Sequence, residues 1–165
     1  MKKILKDIAS ILIIVFLVSN ALSYYNSLNI NKIDFELKNI KLADGFNFIY
    51  TKGKPLLVYF WSKDCFLCAI EENTIEKLSQ EYNVLSVSVN SGYDDSVIRY
   101  KNENNLTFDV LNDKYKTIYK KYNITKFPTT IIYDKNQKFV FADVGYTSNI
   151  ALKLRMWWAK FINKN

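Results

Sequence analysis

At 165 residues, 49% apolar and 24% charged, the chain has room for one ordinary globular domain and little more. It holds no His and only two Cys, which excludes a Ser-His-Asp triad, a Cys-His protease pair, His-ligated metal sites, and a four-cysteine zinc or iron–sulfur site within one chain. The formal charge of +7 divides into +3 on residues 1–33 and +4 scattered over the rest, and with only Arg99 and Arg155 as arginines it builds no phosphate-binding patch, so nucleic acid is not an expected partner.

Lys2, Lys3 and Lys6 precede an apolar run that carries no charge after Asp7. Ile8–Tyr25 spans 18 residues, just enough for a bilayer, which takes about 17–25. Residues 1–7 are therefore read as a basic cytoplasmic end, 8–25 as a transmembrane anchor, 26–32 as a polar spacer and 33–165 as the folded domain. The basic flank puts the domain on the far side of the membrane. The expected location is the inner (cytoplasmic) membrane, single-pass, with the domain facing the periplasm or extracytoplasmic side. A cleaved signal peptide, with small residues at Ser19-Asn20-Ala21, is the alternative and implies the same topology.

Ile33–Leu37 alternates like a short strand, and turn signals follow at Asp44-Gly45 and Lys52-Gly53-Lys54-Pro55. Leu56–Trp61 is a continuous apolar run, as expected of a central strand buried on both faces. A helix starts at Cys65, with Ile70, Ile75 and Leu78 on its apolar side and Glu71, Glu72, Glu76 and Lys77 facing water. Val84–Val89 reads as a strand, and Asp94-Asp95 as the cap of a helix reaching about Asn104. Phe108–Leu111 is a short strand and Lys114–Tyr122 a helix, with Lys114, Lys116, Lys120 and Lys121 on its solvated side. Phe127-Pro128 breaks the chain ahead of strand Thr129–Tyr133, and the turn at Asp134–Gln137 leads into Phe139–Val144 as an antiparallel hairpin. A last helix runs from Ser148 to Asn163, with Trp157, Trp158 and Phe161 expected to pack it on the sheet; contact with a membrane surface is the alternative for that cluster. The order β-α-β-α-β-α-β-β-α predicts an α/β fold, a central mixed sheet flanked by helices.

Cys65 and Cys68 form a Cys-x-x-Cys pair at a helix start just after a buried strand. There the free N–H groups favour thiolate over thiol at the first cysteine, making Cys65 the candidate nucleophile. Cys68, one turn further in, is placed to resolve a mixed disulfide. A purely structural bridge would restrict the unfolded chain little, because its loop is so short. A Cu(I)-binding or delivery protein using the same two thiolates is the rival from another class. Pro128, directly ahead of a strand, is expected to follow a cis bond.

Val58-Tyr59-Phe60-Trp61-Ser62-Lys63-Asp64-Cys65-Phe66-Leu67-Cys68, with Phe127-Pro128-Thr129-Thr130 about sixty residues later, resembles the thioredoxin superfamily. Ser88–Gly92, Phe141–Ser148 and Leu152–Trp158 extend the likeness to its membrane-anchored extracytoplasmic branch, which includes the suppressor-of-copper-sensitivity protein D and TlpA-like reductases. The resemblance implies a thioredoxin-like fold over residues 34–163 and a protein-disulfide oxidoreductase with no cofactor and no metal. It also implies cis Pro128 beside the cysteines, substrate contact through Phe127, Pro128, Phe66 and Leu67, and a possible proton-transfer role for Glu71. Its partners would be client proteins with disulfides or thiols, a membrane electron-transfer thiol protein, and the membrane itself through the N-terminal helix. Departures are Asp64 where Trp is usual, Phe66-Leu67 where a Pro-containing dipeptide is usual, and Tyr59 where the superfamily buries an acid. Asp64 disfavours a nearby thiolate while Lys63 and the helix start favour it, so the direction of electron flow stays open.

Overall fold

The computed structural model describes residues 2–36 and 39–162. Leu37 at the end of the expected first strand and Asn163 at the end of the expected last helix lie outside the described residues, as do the side chains of Lys2, Lys3, Ser19, Asn20 and Tyr24.

The chain opens with helix α1 (Lys2–Ser27). From Leu56 it runs β1 (Leu56–Trp61), α2 (Phe66–Ser79), β2 (Asn83–Ser88), α3 (Asp94–Glu103), β3 (Asp109–Asn112), α4 (Thr117–Lys121), β4 (Thr129–Tyr133), β5 (Phe139–Val144) and α5 (Asn149–Phe161). The five strands form one sheet in the order β3-β2-β1-β4-β5. β1, β2 and β3 are parallel, whereas β4 runs antiparallel to both β1 and β5. This is the expected mixed sheet, with helices on both faces, and it is a thioredoxin-like fold.

The apolar run of β1 is explained by its central position. Leu57, Tyr59 and Trp61 point into one core with Cys68, Ile75 and Leu78 of α2, Val97 of α3, and Leu152, Met156 and Ala159 of α5. Leu56, Val58 and Phe60 point into the opposite core with Ile30, Phe35, Leu42, Tyr122 and Ile124. All six β1 side chains are fully buried, and each such burial contributes roughly 1.5–3 kcal/mol.

Several local expectations are corrected. Residues 33–36 form no strand: Phe35 donates a backbone hydrogen bond to the Gln137 carbonyl (3.1 Å) and rests its ring on Tyr133, and the Asp34 carboxylate takes the Phe139 N–H (3.3 Å) and the Lys138 ammonium (3.0 Å), side-chain ties in place of a ladder. Asp94 and Asp95 lie in the first turn of α3, favourable there for the helix dipole, while Tyr93 occupies the cap position. α4 starts late because Lys116 adopts a left-handed conformation (φ 58°), and the Asp113 carboxylate accepts the N–H groups of Thr117 (2.8 Å) and Tyr119 (2.7 Å). On α2, Ile75 and Leu78 are buried as expected, but Glu71 and Glu72 are buried as well and Ile70 is exposed. Trp157, Trp158 and Phe161 do not pack α5 on the sheet; all three are exposed, and Leu152, Met156 and Ala159 carry that contact.

The N-terminal part is tied to the domain. The Ser23 hydroxyl donates to Asp143 Oδ1 (3.3 Å) and accepts the Val144 N–H (3.2 Å). Asp143, buried on β5, also receives the Arg155 guanidinium of α5 at 2.9 Å. Ile30 is buried, and Asn31 donates to the Lys121 carbonyl at 2.8 Å, so the stretch 26–32 lies against the domain. Among the described residues no helix is long and apolar enough to cross a membrane.

Candidate active site

β1 ends at Trp61, and a short turn delivers the chain to α2: the Cys65 N–H donates to the Ser62 carbonyl (3.0 Å), and the Val89 N–H donates to Trp61 (2.8 Å). Cys65 is the N-cap of α2, in an extended conformation, and its Sγ accepts the Cys68 N–H at 3.2 Å. A sulfur in this place takes over a donor that a helix start leaves unsatisfied, and it sits at the positive end of a 14-residue helix. Cys65 and Cys68 are joined in a disulfide, with Cα atoms 5.2 Å apart. Cys68 is fully buried and Cys65 partly exposed, so the first sulfur is the one a partner can reach. Phe66 and Leu67, between them, are 77% and 42% exposed and form an apolar surface next to the bridge.

The sheet register brings the second motif to the same end. Phe60 pairs with Thr129, which places Pro128 at the level of Trp61. The Phe127–Pro128 bond is cis, as expected. Pro128 is buried and its carbonyl accepts the Gly145 N–H (2.8 Å), while the half-buried Phe127 packs against both cores. Cys65 and Cys68, about sixty positions before Phe127 and Pro128 in sequence, thus share one edge of the molecule with them.

Behind the bridge lies a group of acids that the sequence pattern misplaced. Tyr59, in the position where an acid was missing, is fully buried and donates its hydroxyl to the Cys68 carbonyl (3.2 Å). The buried acids come from α2 instead. Glu71 Oε1 accepts the Thr147 N–H at 2.9 Å, and its Oε2 is buried with no hydrogen-bond partner among the described residues. Burial pushes the Glu71 carboxyl up to about 8; the Thr147 hydrogen bond works against that rise and the nearby Asp143 with it. Glu72 accepts the Tyr100 hydroxyl at 2.8 Å, and burial again raises its pKa. Tyr100 in turn packs its ring at a tilt against Trp61, ring centroids 5.3 Å apart. Counting from Cys68 finds these acids: 68, 71, 72, 75 and 78 recur at the i, i+3, i+4, i+7, i+10 spacing of one helix face. Lys63, the cation expected to favour the thiolate, is tied to Ser96 Oγ of α3 (3.3 Å).

The AhpC/TSA family model matches residues 30–142, a span that includes both cysteines and the cis proline. The chain belongs to the AhpC/TSA family. The chain is similar to a thioredoxin-like protein of Haemophilus influenzae, 29% identical over 97% of both chains. It is also similar to the thiol-disulfide oxidoreductase ResA of Bacillus anthracis, 29% identical over 68% of this chain and 64% of that one. Among solved structures, a putative thioredoxin from Neisseria meningitidis superposes with a TM-score of 0.60 at 26% identity, covering 66% of this chain and 75% of that chain. With its disulfide-linked Cys-x-x-Cys pair, this AhpC/TSA member is a thioredoxin-like thiol–disulfide oxidoreductase.

Proposed function

We propose that the chain is a membrane-anchored, extracytoplasmic thiol–disulfide reductase that acts on client proteins and is itself re-reduced by a membrane thiol protein. The observation that carries the exchange chemistry is Cys65, capping α2 and partly exposed, disulfide-linked to a fully buried Cys68. In the reduced state the Cys65 thiolate attacks a client disulfide. A mixed disulfide forms and one client sulfur leaves as thiolate. Cys68 then loses its proton and attacks Cys65, which closes the Cys65–Cys68 bond and releases the second client sulfur; the client gains two electrons and the pair loses two. Phe66, Leu67 and Phe127 offer the apolar surface on which the client segment rests.

Glu71 lies one turn along α2 from Cys68, on the same buried face. With a pKa of about 8 it nearly matches a free thiol at about 8.5, so a proton passes between the two at little cost. Oε2, which lacks a hydrogen-bond partner, is the atom available to take it.

The surroundings favour reduction over oxidation. A strongly oxidising pair needs a stabilised reduced form, as a low-pKa thiolate provides. Here Asp64 precedes Cys65, and Lys63, the nearby cation, is held by Ser96. The Cu(I) alternative would use the same two thiolates, but the similar proteins are named thioredoxin-like or thiol–disulfide oxidoreductases, which favours exchange chemistry.

The anchor rests on the sequence of residues 8–25 and on a stripe of exposed apolar side chains along α1 (Ile8, Ile11, Val15, Val18, Leu22 and Tyr25), which water does not favour. Fusing alkaline phosphatase, active only outside the cytoplasm, to the C-terminus is expected to give an active enzyme in a membrane fraction that resists alkaline extraction. A phosphatase fusion that is inactive while a cytoplasmic reporter fusion is active would contradict this topology.

A further inference from the structure

α5 has two apolar faces, and the sheet uses one of them. Leu152, Met156 and Ala159 are fully buried against the core. On the opposite side Ile150, Leu154, Trp157 and Phe161 recur at i, i+4, i+7 and i+11, a continuous stripe along the helix. Their exposures are 75%, 60%, 53% and 63%, and Trp158 beside them is 52% exposed. The Trp157 and Phe161 rings touch, with centroids 5.0 Å apart. A helix packed on a sheet normally turns charged and polar side chains outward, so a large exposed aromatic stripe marks a surface that meets something.

The charges on α5 select the occupant. Its sequence, Asn149–Phe161, contains Lys153, Arg155 and Lys160 and no acidic residue. Arg155 is committed to Asp143, whereas Lys153 and Lys160 are exposed along one flank of the stripe. Tryptophan and phenylalanine bordered by lysines form the face of a helix that lies flat in the interfacial layer of an anionic bilayer. The position of α5 agrees. Asp143 holds both Arg155 of α5 and Ser23 near the end of α1, so α5 is fastened beside the foot of the anchor helix.

We infer that the exposed stripe of α5 is a second membrane contact, which seats the redox domain on an anionic lipid surface. The inference rests on the anchored reading of α1 only for where the bilayer lies. A domain held at two places has a fixed orientation to the membrane, where a tether alone leaves it free to tumble.

The test uses the full chain reconstituted into phosphatidylglycerol-containing vesicles whose lipids carry bromine just below the headgroups. Vesicle flotation reports the anchor, and bromine quenching of tryptophan emission reports α5, because Trp61 is buried in the domain. The expected result is roughly two-fold quenching in anionic vesicles, weaker in phosphatidylcholine alone and weaker in the K153E/K160E variant. The quenching should vanish in W157F/W158F, which keeps aromatic packing and retains only Trp61. A chain that floats without quenching overturns the α5 contact and leaves the anchor standing. A chain that neither floats nor quenches overturns both. Protected tryptophans in a lipid-free sample with the mass of two copies would assign the stripe to a second chain, which also overturns the inference.

Discussion

Cys65→Ser is expected to abolish disulfide exchange, lowering turnover to background by on the order of 10³-fold or more, whereas Cys68→Ser is expected to accumulate a mixed disulfide with client protein. The two outcomes differ because the sulfurs differ in exposure. Cys65 is reachable and lies at the positive end of α2, while Cys68 is fully buried and bonded to Cys65. A serine at 65 removes the attacking thiolate altogether. A serine at 68 leaves the attack intact and removes the sulfur that would free the client. The bridge closes so short a loop that its loss changes the constraint on the unfolded chain little, so both variants are expected to fold. Non-reducing electrophoresis followed by mass spectrometry reads the trapped species. A mixed disulfide on Cys65→Ser through Cys68 would reverse the assigned roles.

The second large effect belongs to Glu71. Its carboxyl ordinarily titrates near 4.5 and in the fold is pushed up to about 8, with burial as the main cause. A raised acid binds its proton more tightly in the folded chain than in the unfolded one. The stability this contributes is complete below about 4.5 and is lost as pH climbs through about 8. Glu71→Gln keeps the neutral shape and an acceptor for the Thr147 N–H. The variant is expected to be more stable than the parent at pH 9 by on the order of 3 kcal/mol, and to differ little at pH 4. In kinetics the same change is expected to slow release of the client from the mixed disulfide by roughly 10²-fold, the lower end for a lost proton-transfer group. It should also remove the limb near 8 from the pH profile of that step. A residue that served only packing would shift stability and leave the pH profile unchanged. Denaturant unfolding at the two pH values and single-turnover kinetics across pH separate those cases.

Much of this molecule is legible locally. The uninterrupted apolar run Leu56–Trp61 fixes the central strand because a strand buried on both faces cannot alternate. Phe127-Pro128 announces a cis bend, and the turn at Asp134–Gln137 announces the hairpin, because each depends on a few adjacent residues. The errors arise where tertiary neighbours decide. Glu71 and Glu72 resemble solvent-facing acids until Thr147 from the segment after β5 and Tyr100 from α3 arrive to receive them. Ile75 and Leu78 face inward as their hydrophobicity suggests, and their row extends back through Glu72 and Glu71 to Cys68 rather than to Ile70. Trp157, Trp158 and Phe161 invite a core assignment by hydrophobicity alone, but the small Ala159 with Leu152 and Met156 fits the close approach of α5 to the sheet. Ser23–Asp143–Arg155 joins three elements across more than a hundred residues and leaves no local trace in the sequence.

The reduction potential of the Cys65–Cys68 couple separates a reductase from an oxidant most directly. Equilibrating the purified full chain in dithiothreitol buffers of graded ratio, and trapping free thiols at each, gives that value. The expected potential is close to the thioredoxin range, about −270 mV. A potential near about −120 mV would instead describe an oxidant with a stabilised thiolate and contradict it, as would the absence of any reversible two-electron transition between Cys65 and Cys68.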